Sequence, residues 1–181
     1  MKYFDFLKEP HDFSIRSLSN GATLKWTHPG SALRATFQSR SFISSLESAV
    51  KDRKPLHLVP ADPNFPAMDS ILYDPPGTST SSQIGPFAPI QVTRNISHPI
   101  AISGLQRVQR WLPAKSTLAN LRPSKSGMHW PFIYVVPDTL ESSFELQDFE
   151  GDTPTSEWAC KVDQYVVGIC EVSIWGRPLK M

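Results

Sequence analysis

Residues 130–137, Trp-Pro-Phe-Ile-Tyr-Val-Val-Pro, form an unbroken apolar run punctuated by prolines. A strand with no polar alternate positions has to be covered on both faces, so the run predicts a sheet with layers packed on either side. Prolines press the rest of the chain toward short elements, since seventeen of them interrupt 181 residues. A chain of that length fits one domain and buries roughly 70% of its unfolded surface, with no need of a metal or disulfide for its core.

The other elements follow from periodicity and turn chemistry. Residues 12–18 and 21–26 alternate as two strands around the turn Ser19-Asn20-Gly21, with a loop at 27–32. Over 41–52, Phe42, Ile43, Leu46, Ala49 and Val50 share one helical stripe, Glu47 sits at its edge, and Lys54-Pro55 ends the helix. Strands are predicted at 56–61, 68–73 and 87–94. A helix over 102–112 turns Ile102, Leu105, Val108, Trp111 and Leu112 inward and keeps Arg107 and Arg110 off that face. A polar, basic connection covers 114–127, and a short helix is expected around 139–149. A last helix over 157–169 would repeat Trp158, Val162, Tyr165, Val166 and Ile169.

The order helix, three strands, helix, strand, helix gives an α/β fold, a single mixed sheet flanked by helices. Residues 1–40 read as an N-terminal extension with a strand pair packed on the core, 41–172 as the domain and 173–181 as a tail. Cys160 and Cys170 are too few for a disulfide framework and read as buried free thiols of a reducing compartment. The absence of any run of 18 apolar residues excludes a transmembrane helix and a membrane partner. The charged start, MKYFDFLKEP, has no apolar signal core, so an intracellular place is expected, the nucleus included.

The predicted hairpin at 68–94 carries polar residues where a core strand would hold Val or Ile. Asp69 and Gln91 are each 11 residues from Thr80, so they face one another if the turn centres there. Facing residues of an antiparallel pair have Cβ atoms about 5 Å apart. Thr93 shares the face of Gln91 because strand side chains alternate. A carboxylate beside an amide oxygen suits Mg²⁺, and Glu47 could add a second carboxylate directly or through water. The purely structural alternative has Asp69 capping nearby backbone amides and Gln91 satisfying an edge strand.

These residues resemble the signature of the restriction-endonuclease-like superfamily. That signature is an acid opening one strand, Glu or Gln, any residue and Lys on the next, and a Glu from the preceding helix. Asp69, Gln91-Val92-Thr93 and Glu47 match it in turn. More closely, FPAMDSILYDP, IQVTRNISHPI, WPFIYVVP and KVDQYVVGI, in that order within about 40–170, are similar to the nuclease domains of crinkler-type and retrotransposon-hot-spot-type proteins. The resemblance implies a restriction-endonuclease-like core in which Asp69, Gln91 and Glu47 hold Mg²⁺ and His98 moves a proton. It also implies a P-loop ATPase domain as partner, for which this chain has no Gly-x-x-x-x-Gly-Lys-Ser/Thr motif.

The chain departs from the pattern at Thr93, where the superfamily has Lys. Losing a positioned electrostatic group costs roughly a hundredfold or more in rate. Arg94, Arg107, Arg110, Lys115, Arg122 and Lys125 would supply phosphate contacts to nucleic acid, with DNA favoured over RNA. Two functions are therefore expected. One is a metal-dependent nuclease-like domain acting on phosphodiesters, and the other a catalytically degenerate module of the same fold that binds nucleic acid or protein.

Overall fold

The computed structural model describes residues 11–28, 33–77, 85–152 and 154–170. Its strands are β1 (His11–Ser17), β2 (Thr23–His28), β3 (Leu33–Phe37), β4 (Leu56–Pro60), β5 (Ser70–Tyr73), β6 (Phe87–Val92), β7 (Ile100–Ala101), β8 (Trp130–Pro137), β9 (Phe149–Glu150) and β10 (Val162–Ile169). Its α-helices are α1 (Ser39–Asp52), α2 (Ile102–Trp111), α3 (Asp138–Glu141) and α4 (Thr155–Ala159). Eight strands form one mixed sheet in the order β2, β1, β10, β8, β6, β5, β4, β3, and β7 pairs with β9 in a small second sheet.

β8 lies inside the sheet between two parallel neighbours, β10 and β6. All eight of its residues are buried. Alternation divides them between two cores. Trp130, Phe132, Tyr134 and Val136 join Phe42, Leu46 and Ala49 of α1 and Ile102, Leu105 and Val108 of α2. Ile133 and Val135 belong instead to a second cluster with Ile15, Trp26, Leu72, Ile90 and Val167. Both-sided burial explains why the run is apolar at every position.

The hairpin pairs as its mirror spacing predicts. β5 and β6 are antiparallel with Ser70 opposite Ile90 and Tyr73 opposite Phe87. The Asp69 N–H continues that ladder by donating to the Ile90 carbonyl at 2.9 Å. β6 ends at Val92, two residues short of the expected strand. The centre of its loop, 78–84, lies outside the described residues, as do the chain start and the tail at 173–181. The expected N-terminal strand pair exists, and it extends the sheet itself because β1 pairs with β10. The loop expected at 27–32 is described only at Thr27 and His28, which close β2. β3, unforeseen from sequence, adds a parallel rung to β4.

The predicted last helix is corrected. Only Thr155–Ala159 is helical, and Val162–Ile169 is a strand held between β8 and β1. Its apolar positions fit a helical stripe, but β-branched Val162, Val166, Val167 and Ile169 favour an extended backbone with partners on both sides. Gly168 admits α3, since a Cβ there would lie 3.0 Å from the Asp138 Cα. The helix expected at 139–149 shrinks to Asp138–Glu141, and irregular chain carries Phe144 into the core. Cys160 is half-buried and Cys170 exposed, so neither is the buried thiol expected. Among the described residues no helix is long and apolar enough to cross a membrane.

Packing of α2 sets the entry into β5. A Cβ on Gly104 would stand 2.0 Å from the Pro66 carbonyl oxygen and 2.9 Å from the Ala67 Cβ. Ala67 itself takes a left-handed φ of 74°, a conformation L side chains rarely adopt. The chain therefore crosses α2 at backbone contact and turns sharply to deliver Met68 to the core and Asp69 to the sheet end. Gly104→Ala is expected to destabilise the protein by about 2 kcal/mol or more through overpacking. Chemical denaturation of the two proteins checks this, and an unchanged midpoint would refute the close approach.

Candidate functional site

Asp69 sits one residue before β5, opposite Gln91 of β6, and its carboxylate is half-buried. One oxygen, Oδ2, accepts two hydrogen bonds, from the Gln91 side-chain Nε2 at 2.7 Å and from the Val92 backbone N–H at 2.8 Å. The same Nε2 also donates to the Val92 carbonyl at 3.3 Å. Both bonds from Nε2 require the NH₂ of Gln91 to face the carboxylate, which fixes the orientation of the amide. Burial pushes the Asp69 carboxyl above the ordinary carboxylate range, opposed by the Val92 N–H and by the charge His98 can carry.

His98 is placed by its backbone. Its N–H donates to the Gln147 Oε1 at 2.6 Å, and its carbonyl accepts from the Tyr134 hydroxyl at 3.0 Å. Burial raises the Tyr134 phenol far above its ordinary pKa, so it remains a donor. Gln147 also donates through Nε2 to the carbonyls of Ile96 and Glu145. Its own backbone is gripped by Gln164 of β10, whose Oε1 accepts from the Gln147 N–H at 2.9 Å while Nε2 donates to the Gln147 carbonyl at 2.8 Å. Sequence reasoning missed Gln147, Gln164 and Tyr134. The only signal was a glutamine at 164, next to Asp163 in a mostly apolar segment, which a helical reading places off the apolar stripe.

Thr93 is buried beyond the end of β6, where its N–H donates to Val135 and its hydroxyl accepts from the Asn95 N–H at 3.0 Å. That hydroxyl shapes the 93–98 loop. Glu47 is exposed on α1, and no hydrogen bond or ion pair links it to Asp69, Gln91 or His98 among the described residues. Arg94, Arg107, Arg110, Lys115 and Lys125 are exposed. Arg122, expected to meet phosphate, is committed elsewhere. It donates to the carbonyls of Gln109 and Leu112 and closes the C-terminal end of α2.

No family model, curated protein or solved structure matches the chain. The chemistry of the site therefore rests on its own donors. Mg²⁺ asks for carboxylate oxygens open to it, with near-octahedral geometry completed by water. Here Asp69 has one oxygen engaged twice, and the facing amide is turned to donate. Among the described residues no group of three or more His, Cys, Asp or Glu could hold a metal ion. As it stands the site offers Mg²⁺ one carboxylate oxygen, Asp69 Oδ1, and the Gln91 amide would have to turn before it could offer a second.

The raised Asp69 carboxyl has a consequence for stability. The folded state binds this proton more tightly than the unfolded chain, so the contribution is full below the ordinary carboxylate pKa. It is lost as pH rises through the raised, folded-state value. Asp69→Asn keeps an oxygen able to accept from Gln91 and Val92 but cannot titrate. Melting temperatures measured across that interval should fall with pH for the wild type relative to Asp69→Asn, and parallel curves would exclude the effect.

Proposed function

We propose that the chain is a nucleic-acid-binding module on a restriction-endonuclease-like core, related to the nuclease domains of crinkler-type and retrotransposon-hot-spot-type proteins, which holds a polynucleotide without cutting it. The observation that carries the non-cleaving reading is the lock on Asp69, whose Oδ2 accepts from both Gln91 and Val92. A carboxylate in that state is a structural acceptor joining β5 to β6. Thr93 strengthens the reading, since a buried hydroxyl engaged with a local turn carries no charge toward a transition state.

Nucleic acid as the partner is supported by exposed Arg94, Arg107, Arg110 and Lys115, all in the segment after β6. Arg110 and Lys115 would meet phosphates, which position a duplex and read no sequence. A separate P-loop ATPase domain is the protein partner that the resemblance implies.

One feature favours the second reading, a working nuclease. Asp69 Oδ1 has no hydrogen-bond partner among the described residues, and His98 is near enough to act on the carboxyl electrostatically. Cleavage would require Gln91 to release Asp69 and present its amide oxygen instead.

Calorimetric titration of Mg²⁺ and Mn²⁺, with and without duplex DNA, separates the two readings. The binding module is expected to take up neither metal and to leave the duplex intact, while Asp69→Ala keeps its DNA affinity. Metal uptake and cleavage that both vanish in Asp69→Ala would establish the nuclease. In the same protein Arg110→Glu with Lys115→Glu should make the slope of log affinity against log salt shallower, by about 0.9 for each phosphate that is no longer neutralised.

A further inference from the structure

A cavity of about 400 Å³ opens between the start of α1, the loop after β4 and the outer face of α2, away from the Asp69 carboxylate. Its walls include Phe37, Phe65 and Trp111, with Arg107, Gln38 and Asp62 at the polar side. The three aromatic rings pack on one another with centroids 5.7–6.0 Å apart, which makes the wall rigid. The Arg107 guanidinium lies over two of them, 5.0 Å from the Phe65 centroid and 5.4 Å from that of Trp111. The cation is held against the ring faces while the residue stays exposed to solvent. Among the described residues Arg107 makes no hydrogen bond or ion pair, so none of them uses its in-plane N–H groups. Asp62 accepts from the Asn64 N–H through Oδ1 at 2.9 Å, and no described residue engages its Oδ2.

From this pocket we infer a seat for one unpaired nucleobase that carries an exocyclic amino group: adenine, cytosine or guanine. The inference rests on the nucleic-acid reading above and adds a base-selective subsite to it. A base stacks on the open face of the guanidinium as it would on an aromatic ring. Its amino group donates to the Asp62 carboxylate, and the Gln38 amide, which also takes part in the α1 capping box, lies at the remaining edge. The volume lies within the range of small-ligand sites, about 300–1,000 Å³. Other ligand classes fit worse. A bare phosphate would meet the Asp62 charge and leave the aromatic wall unused, and a purely apolar ligand would bury Arg107 and Asp62 without partners.

Fluorescence anisotropy with short single-stranded oligodeoxyadenylate and oligothymidylate, beside a fully paired duplex, tests the seat. Wild-type protein should prefer the adenine strand by about tenfold. Arg107→Ala should weaken both single strands by about tenfold. Asp62→Ala should bring the adenine strand down to the thymine one. Both side chains are exposed, and unchanged melting temperatures would confirm folded variants. Duplex binding that persists while single strands bind without base preference, or without loss in Arg107→Ala, overturns the seat and leaves the proposed function standing. Failure to bind any of the three overturns both.

Discussion

The double-sided burial of β8 is the constraint on which the structure depends. Its parallel partners β10 and β6 take its backbone groups, and its side chains divide between the two cores. Everything placed at the candidate site follows from that strand. Gln91 lies opposite Tyr134 and Val92 opposite Val135, so β8 sets the depth at which β6 ends. Tyr134 then reaches the His98 carbonyl, and Gln164 of the neighbouring β10 holds Gln147. The polar end of the sheet is assembled by residues whose backbones are already committed to the apolar middle.

A half-buried carboxylate is tolerated there because its hydrogen bonds offset part of the desolvation. Charge-assisted bonds are the stronger kind, and Asp69 accepts two at short distance on a single oxygen. That satisfaction falls on Oδ2, and it joins the end of β5 to β6. The Thr93 hydroxyl is likewise spent on a turn, so the hairpin's acid, amide and hydroxyl all have backbone or side-chain partners.

Some of this was legible in the sequence. Mirror spacing about Thr80 places Asp69 opposite Gln91, and the observed pairing of Ser70 with Ile90 has that register. The stripes of α1 and α2 were readable because helical periodicity persists over several turns, as Phe42, Leu46, Ala49 and Ile102, Leu105, Val108 show. β10 was misread because its apolar spacing suits a helix, and only its place between β8 and β1 decides for a strand. β3 was missed because its pairing with β4 is set by a helix lying between them in the chain, which leaves no local trace. The grip of Gln164 on Gln147 spans 17 residues and depends on burial, so nothing in the local pattern announces it.

That grip has a mechanical meaning. A glutamine amide presents the same donor and acceptor pair as a peptide unit, so Gln164 adds one rung of β-ladder to β10 through its side chain. Gln147 passes the connection on, with its side chain reaching the Ile96 carbonyl and the His98 N–H. Three stretches distant in the chain, 96–98, 145–148 and β10, are joined through two neutral side chains. Their amide protons should exchange as one cooperative group, with a rate insensitive to salt, because no member of the connection carries a charge.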